Sequence, residues 1–412
     1  SINYLDISQF NTIKLKDANN MFSLCTNLKE LNLSNFNTNN IYNMSEMFYG
    51  CNNLLSLNLS NLNTNKVTHI SGMFSHCESL ISLDINNFDT SKITDFSNLF
   101  NSCNNLTELY INKLDISNAI NIKGMFQNCE SLSGLSLSNF NTKNVKDMSY
   151  LFSNCKSLEY LDINNFDTNN VENMDNMFSN LEKIRELNLS NFYTPKLIKM
   201  NNIFQNCYSL EKLDISKFRT ENVNSLYRVF DSCKFLTSLD ISHFYTEKIT
   251  NYAYMFNNCN SLSSLKFNFI TNNAIYMYNM FSGCNSLISI ILSEFKIINA
   301  NNIRYMFSQC FQLKEIELSY LNTSGISNME SLFNGCKSLK TLNLSNLDTS
   351  NVIYMNSIFK DCSNLESINI NNFNTSSVIS MQNMFNGCEK LLSLDLSNFS
   401  TKSSNYMNNM FT

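Results

Sequence analysis

Apolar side chains recur along this chain at a fixed spacing, with polar residues between them. An apolar residue followed by Phe, first found at Met21-Phe22, occurs 16 times up to Met410-Phe411. Fourteen of the 15 intervals are 26 residues long, and the one from Met255 to Met280 has 25. A fixed period of this length is typical of solenoids, in which each repeat forms one coil and neighbouring coils share a core. The chain is therefore predicted to fold as a single solenoid domain over residues 1–412.

The last part of each repeat has the spacing of a short strand. In the repeat around residues 36–62, Leu54, Leu57 and Leu59 follow the pattern L-x-x-L-x-L, which ends in strict apolar and polar alternation. This pattern matches the strand portion of a leucine-rich repeat. Each coil is predicted to contribute one short strand to a parallel sheet on the concave side.

The middle of each repeat has the spacing of one helix face. Met44, Met47, Phe48 and Cys51 stand at positions i, i+3, i+4 and i+7. Gly50 precedes the cysteine, and the equivalent position is often Gly or Asn, the residues that tolerate the left-handed conformation ending a helix. Short helical turns are therefore expected on the convex side, which makes the predicted fold an α/β leucine-rich-repeat solenoid of about 15 to 16 coils.

A column of threonines lies two residues after the apolar residue that follows each strand. Fourteen of its 16 members are Thr, and the exceptions are Ile116 and Ile297. A hydroxyl that recurs at a corner can bond the backbone of its own coil or of the adjacent coil. Replacement by Ile indicates that the position is buried.

All 14 cysteines share one register, and Leu181 takes that position in the coil that lacks one. Cysteine at a position that accepts Leu behaves as a small buried apolar residue. Three less favoured alternatives stay open, namely disulfides between coils, a zinc site and a reactive thiol at His76-Cys77.

The composition narrows the function classes. The net charge is -5, and the 29 basic and 34 acidic residues are spread along the chain, so no basic stripe is available for nucleic acid. No apolar stretch approaches the roughly 20 residues of a membrane helix. The three histidines lie far apart, and no catalytic or cofactor motif is found, so we expect neither an enzyme nor a cofactor. The absence of end caps, a signal and an anchor suggests an excerpt of a longer chain.

The exposed strand face carries a polar column between the last two apolar strand positions. Six of its 16 members are Asp and five are Asn. They could serve the structure, with Asn bonding along the stack and Asp solvated, or they could form a docking surface or a weak cation site at Asp214 and Asp240. The candidate ligand-binding residues, taken from the central coils, are Tyr160, Asp162, Arg185, Asn188, Asp214 and Asp240.

The repeat is irregular in two places. The coil of Leu181 gains a charged run at residues 182–186, and the 25-residue coil lacks one residue before Asn268. The second irregularity is flanked by Tyr252, Tyr254, Tyr276, Tyr278 and Tyr305. Ordinary repeat drift and a special binding role are both open for these segments.

The motifs L-x-x-L-x-L, F-x-T and M-F-x-x-C-x-x-L, as in residues 31–38 and 47–54, resemble the 26-residue repeat of the BspA-like leucine-rich-repeat surface proteins. The resemblance covers essentially the whole chain. It implies a non-enzymatic, surface-exposed or secreted adhesion module that binds protein or glycan ligands and has no catalytic residues.

The expected partners are therefore proteins or glycans on host or neighbouring cells, bound by a monomer without membrane insertion of this segment. An intracellular leucine-rich-repeat scaffold or recognition receptor stays open as the alternative, because 14 unpaired cysteines suit a reducing compartment.

Overall fold

The computed structural model describes residues 2–292, 295–318 and 321–412. The chain divides into two compact units, Ser1–Arg219 and Thr220–Thr412. Each unit is a stack of parallel coils, which confirms the predicted leucine-rich-repeat solenoid with parallel strands but makes it a β-solenoid and not the α/β repeat that the sequence predicts. The prediction of one domain over residues 1–412 stays a prediction.

Fourteen three-residue strands occur in the described part of the chain. In the first unit they are β1 (Tyr4–Asp6), β2 (Glu30–Asn32), β3 (Ser82–Asp84), β4 (Glu108–Tyr110), β5 (Gly134–Ser136), β6 (Tyr160–Asp162), β7 (Glu186–Asn188) and β8 (Lys212–Asp214). In the second unit they are β9 (Ser238–Asp240), β10 (Ser264–Lys266), β11 (Ser289–Ile291), β12 (Glu315–Glu317), β13 (Thr341–Asn343) and β14 (Ser367–Asn369).

The strands pair in parallel and in register, as the sequence predicts. Consecutive strands form two-stranded sheets: β1 with β2, β3 with β4, and so on to β13 with β14. In the pair of β7 and β8, Leu187 lies opposite Leu213 and Asn188 opposite Asp214. The central residue of each strand points inward and the first residue is exposed, so the first and third positions form the outer strand face.

The predicted helical turns are wrong, because no helix occurs in residues 2–292, 295–318 or 321–412. In the coil of Cys51, Glu46 and Gly50 have left-handed φ angles of 54° and 69°. The N–H of Phe48 donates to the carbonyl of Met73 in the next coil at 2.9 Å. A helix would use that N–H within the coil and would need right-handed φ angles throughout. Successive tight turns instead return the apolar side chains to one side, which gives a helix-like spacing without a helix.

The position before each cysteine is left-handed, as the sequence predicts. Gly50, Gly283, Gly335 and Gly387 have φ angles of 69° to 77°, and Asn128 has 59°. The second left-handed position of each coil, occupied by Glu46 in the example above, was not predicted. Side chains as large as Arg228 and Tyr254 occupy it, with φ angles of 54° and 58°, so its sequence signal is weak.

The core is built from columns of identical residues. Phe48 stacks on Phe22 at 5.5 Å between ring centroids and on Phe74 at 5.8 Å. Within each unit the Phe residues of this column stack at comparable spacing, and its members are almost entirely buried except the last one, Phe411. Stacking one ring on another in every coil fixes the coil-to-coil register through a large apolar contact.

The threonine column links adjacent coils, which confirms its predicted role. The Oγ1 atom of Thr142 donates to the carbonyl of Asp167 at 2.9 Å and accepts the N–H of Asp167 at 2.7 Å. One hydroxyl therefore satisfies both backbone groups of a residue in the next coil. Ile116 and Ile297 are also buried, as expected for this register.

The cysteine column is buried, as predicted, except at Cys25 and Cys388, which are partly exposed. The Sγ of Cys155, for example, donates to the carbonyl of Phe126 in the coil before it at 3.1 Å. Burial raises the pKa of the Cys155 thiol to about 12. These thiols are therefore protonated and shielded at neutral pH.

The missing residue of the 25-residue coil falls in the loop after β10, as predicted. The turn that follows the strand in regular coils is absent at residues 267–270, and aromatic rings fill the space. Tyr252 is fully buried, lies 5.5 Å from Phe269 between centroids and donates through its hydroxyl to the carbonyl of Thr246 at 3.3 Å. Tyr252 therefore belongs to the core.

Candidate functional site

The polar column of the strand face closes the turn after each strand. Each of its six Asp and five Asn residues accepts the backbone N–H of the residue two positions later through Oδ1, at 2.8 to 3.3 Å. This is an Asx turn, a role that we did not assign from the sequence. The hydroxyl and the N–H of Ser242 lower the pKa of Asp240 in this way. These eleven side chains therefore have a structural role, and Asp and Asn can both fill it because either offers an Oδ1 acceptor.

A depression of about 680 Å³ opens on the strand face of the first unit, between residues 159–164, residues 183–188 and Ser209. We call it the strand-face depression. Four of the six predicted site residues line it: Tyr160, Asp162, Arg185 and Asn188. The lining residues that were not predicted include Glu159, Asn164, Lys183 and Glu186.

The other two predicted residues do not line the depression. Asp214 lies opposite Asn188 in the register of β7 and β8, and it closes its turn by accepting the N–H of Ser216 at 3.0 Å. Asp240 belongs to the second unit. Its Oδ2 atom lies 3.7 Å from Lys266 Nζ. In the described part of the chain, no group of three His, Cys, Asp or Glu side chains is arranged to hold a metal ion.

Three ion pairs cross the strand-face depression and its rim. Lys183 Nζ lies 3.5 Å from Glu159 Oε1. Arg185 Nη1 lies 3.7 Å from Glu211 Oε1, and Lys212 Nζ lies 2.6 Å from Glu186 Oε1. The hydrogen bond that Lys212 donates to the Glu186 carboxylate raises the pKa of Lys212. All these side chains are largely exposed, and such pairs contribute only about 0 to 1 kcal/mol to folding. The charges are therefore available to a ligand at little cost to the fold.

An amide network joins the floor of the depression across two coils. Asn188 Nδ2 donates to Asn164 Oδ1 at 2.9 Å, and Asn164 Nδ2 donates to Asp162 Oδ1 at 2.9 Å. Ser190 also donates to Asn188 Oδ1 at 2.8 Å. These bonds fix the directions in which Asn188 and Asp162 present their outer atoms.

Tyr160 stands at the edge of the depression beside a glycine. Its Cβ and Cδ1 atoms lie 3.8 and 3.9 Å from where a Cβ of Gly134 would stand, and its side chain is 59% exposed. Tyr4 occupies the same register in β1 and is 56% exposed. The Tyr160 side chain therefore lies directly beside Gly134 on the neighbouring strand.

The tyrosines near the short coil form a second aromatic group, in the second unit. The guanidinium of Arg228 lies 4.6 Å from the ring centroid of Tyr254, and that of Arg304 lies 5.4 Å from the ring centroid of Tyr278. Tyr254 and Tyr278 meet edge to face at 5.4 Å. The ring faces are thus occupied by cations and neighbouring rings, which favours a packing role.

In residues 2–292, 295–318 and 321–412, no helix is long and apolar enough to cross a membrane.

The comparisons with known proteins agree with the repeat architecture. The family model described as "Mycoplasma protein of unknown function, DUF285" matches residues 1–106, 80–192, 180–295 and 301–412. No curated protein matches the chain.

Solved structures of bacterial leucine-rich-repeat proteins are similar to this chain. One from Bacteroides ovatus ATCC 8483 has a TM-score of 0.57 and 17% identity, over 89% of this chain and 87% of that chain. Another, from Eubacterium ventriosum ATCC 27560, has a TM-score of 0.34 and 15% identity, over 93% and 82%. The first similarity supports the fold alone, and together with the family match it confirms the BspA-like repeat recognised in the sequence.

Proposed function

We propose that this chain, which belongs to the DUF285 family of Mycoplasma proteins of unknown function, acts as a non-enzymatic binding module. Its ligands are proteins or glycans, and the strand-face depression is the binding site. Leucine-rich-repeat solenoids typically serve as binding scaffolds whose extended surfaces contact a partner.

One observation carries the proposal: the depression gathers large and charged side chains that the fold does not need. The strand of the preceding coil, β5, presents Gly134 at its first, outward position, whereas β6 and β7 present Tyr160 and Glu186 there. Tyrosine and arginine are also among the residues most enriched at the energetic anchors of interfaces. A surface that departs from the repeat only in its outward side chains is suited to recognition.

The likeness to BspA-like proteins favours an adhesive role at the cell surface or in secreted form, with the module acting as a monomer. The second candidate function is an intracellular scaffold or recognition receptor. The 14 free thiols favour that alternative, because such thiols persist in reducing compartments.

The test compares two double variants in the same registers. Tyr160→Ala with Arg185→Ala removes both anchors of the depression, and Tyr4→Ala with Lys29→Ala makes the matched change elsewhere on the strand face. Exposed substitutions usually change stability within about 0.5 kcal/mol, so circular dichroism and melting should be unchanged in both. The first variant is expected to lose about tenfold or more of the attachment to cell monolayers and matrix-coated wells, and the second should attach like wild type.

Equal attachment by both double variants would show that the depression is not the site. If the wild-type chain attaches to no cell or matrix surface but retains a protein from a cell extract in a Tyr160-dependent manner, the intracellular scaffold is supported instead.

A further inference from the structure

We propose that the ligand of the strand-face depression is a neutral glycan segment, one sugar ring of which stacks on the ring of Tyr160. The inference rests on the proposed binding function and adds the chemical class of the ligand.

Tyr160 lies beside a glycine in the neighbouring strand. Gly134 is the neighbour of Tyr160 in the ladder of β5 and β6, and the tyrosine ring begins within 3.9 Å of the position that a Cβ at residue 134 would occupy. An aromatic ring that covers a cross-strand glycine is held against the sheet. Because Tyr160 is 59% exposed, its ring also offers an open aromatic surface to solvent.

An open aromatic face selects for a particular ligand surface. The face of the ring is electron-rich and its edge is positive. The face therefore attracts weakly positive C–H groups. One side of a pyranose is a patch of such groups, while its rim carries hydroxyls. The tyrosine–arginine group near the short coil lacks this property, because the guanidinium of Arg228 lies only 4.6 Å from the Tyr254 centroid.

The polar surroundings match the hydroxyl rim of a sugar. Arg185 presents donors, Asp162 and Glu159 present acceptors, and Asn188 presents both. Hydrogen bonds from neutral hydroxyls to such charged groups are roughly twice as strong as those between neutral groups. The network through Asn164 holds Asp162 and Asn188 in position at 2.9 Å contacts, so little ordering is needed on binding.

The charge balance argues against a polyanion or a strongly basic peptide. The depression and its rim hold three cationic and four anionic side chains: Lys183, Arg185 and Lys212 against Glu159, Asp162, Glu186 and Glu211. All three cations are paired with carboxylates at 2.6 to 3.7 Å. A site with a net charge near -1 gives little electrostatic attraction to either sign, which leaves a neutral polar ligand as the best match.

The size of the depression also favours a small ligand segment. Its volume of about 680 Å³ lies within the roughly 300 to 1,000 Å³ of small-molecule sites. A stable protein partner instead covers about 800 Å² of each surface, far more than the concavity offers. A few linked sugar rings fit that space.

The experiment screens the purified chain on a printed array of neutral and acidic oligosaccharides and then measures the best neutral glycan by isothermal titration calorimetry. Tyr160→Ala should weaken binding about tenfold, since loss of an aromatic contact of about 1.4 kcal/mol corresponds to that factor. Tyr160→Phe keeps the ring and should bind nearly like wild type. Gly134→Gln should weaken binding by displacing the ring, and Glu108 in the same register of β4 indicates that the fold accepts such a side chain. Tyr4→Ala is the matched control and should have no effect.

Binding confined to acidic glycans, or neutral glycan binding that survives Tyr160→Ala, would overturn the inference. No glycan binding, together with Tyr160-dependent attachment to protein-coated wells, would overturn it while leaving the proposed function in place. Absence of both activities from the wild-type chain would remove both proposals.

Discussion

Replacing one buried threonine of the corner column should destabilise the solenoid far more than replacing an exposed threonine. In Thr142→Val the side chain keeps its shape, but the N–H and the carbonyl of Asp167 lose the hydroxyl that bonds both, at 2.7 and 2.9 Å. Each unsatisfied buried group costs about 1 to 3 kcal/mol. The expected loss is therefore about 2 to 6 kcal/mol for the two groups together.

Thr107→Val provides the control, since the exposed Oγ1 of Thr107 bonds the carbonyl of Ile81 at 3.3 Å, where water can replace it. Urea unfolding followed by circular dichroism gives the stability of each variant, and amide exchange at Asp167 locates the change. Faster exchange at Asp167 with a lowered unfolding midpoint is expected for Thr142→Val alone. Free energies of unfolding that agree within about 0.5 kcal/mol between the two variants would refute the assigned role of the column.

Two further predictions concern the cysteine and glycine columns. Burial raises the pKa of the Cys207 thiol from 9.0 to about 12. The contribution of the neutral thiol to the free energy of unfolding is therefore complete below pH 9 and is lost as the pH rises toward 12. The loss amounts to at most about 1.4 kcal/mol per pH unit. Cys207→Leu, which copies the natural Leu181, should reduce the drop in urea midpoint between pH 8 and pH 10, and an unchanged drop would contradict this. Gly283→Ala should cost about 1 to 2 kcal/mol, because φ is 74° and the new Cβ would stand 2.6 Å from Asn258 Oδ1. In Gly134→Ala the new Cβ would lie 3.8 Å or more from its neighbours, so this variant should melt like wild type. Equal melting temperatures for Gly283→Ala and Gly134→Ala would refute the role assigned to the left-handed position.

The regular parts of the fold were predictable because each position repeats in every coil. The strand residues of β7, the Thr142 register and the burial of the cysteines follow from period and alternation alone. The helical turns were predicted wrongly for a physical reason. A chain of tight turns with left-handed residues at Glu46 and Gly50 places its apolar side chains at the same i, i+3, i+4, i+7 spacing as a helix.

The candidate site was only partly predictable. Tyr160 and Arg185 were identified because they lie beside the polar column in an exposed register, and the structure brings them together with Asp162 and Asn188. The contact between Tyr160 and Gly134 could not be inferred without knowing the cross-strand register. The Asx turns were missed because the same Asp or Asn side chain can close a turn or bind a ligand, and sequence alone does not separate the two roles.

Site-specific photo-crosslinking tests the central claim most directly, namely that the partner contacts the strand-face depression. A photoreactive amino acid at Ser209, which lines the depression, is compared with one at Asn101, which lies in the tight turns of another coil of the same unit. Binding to cell monolayers followed by irradiation should give a crosslinked partner from position 209 and none from position 101. Crosslinking from position 101 alone would contradict the account.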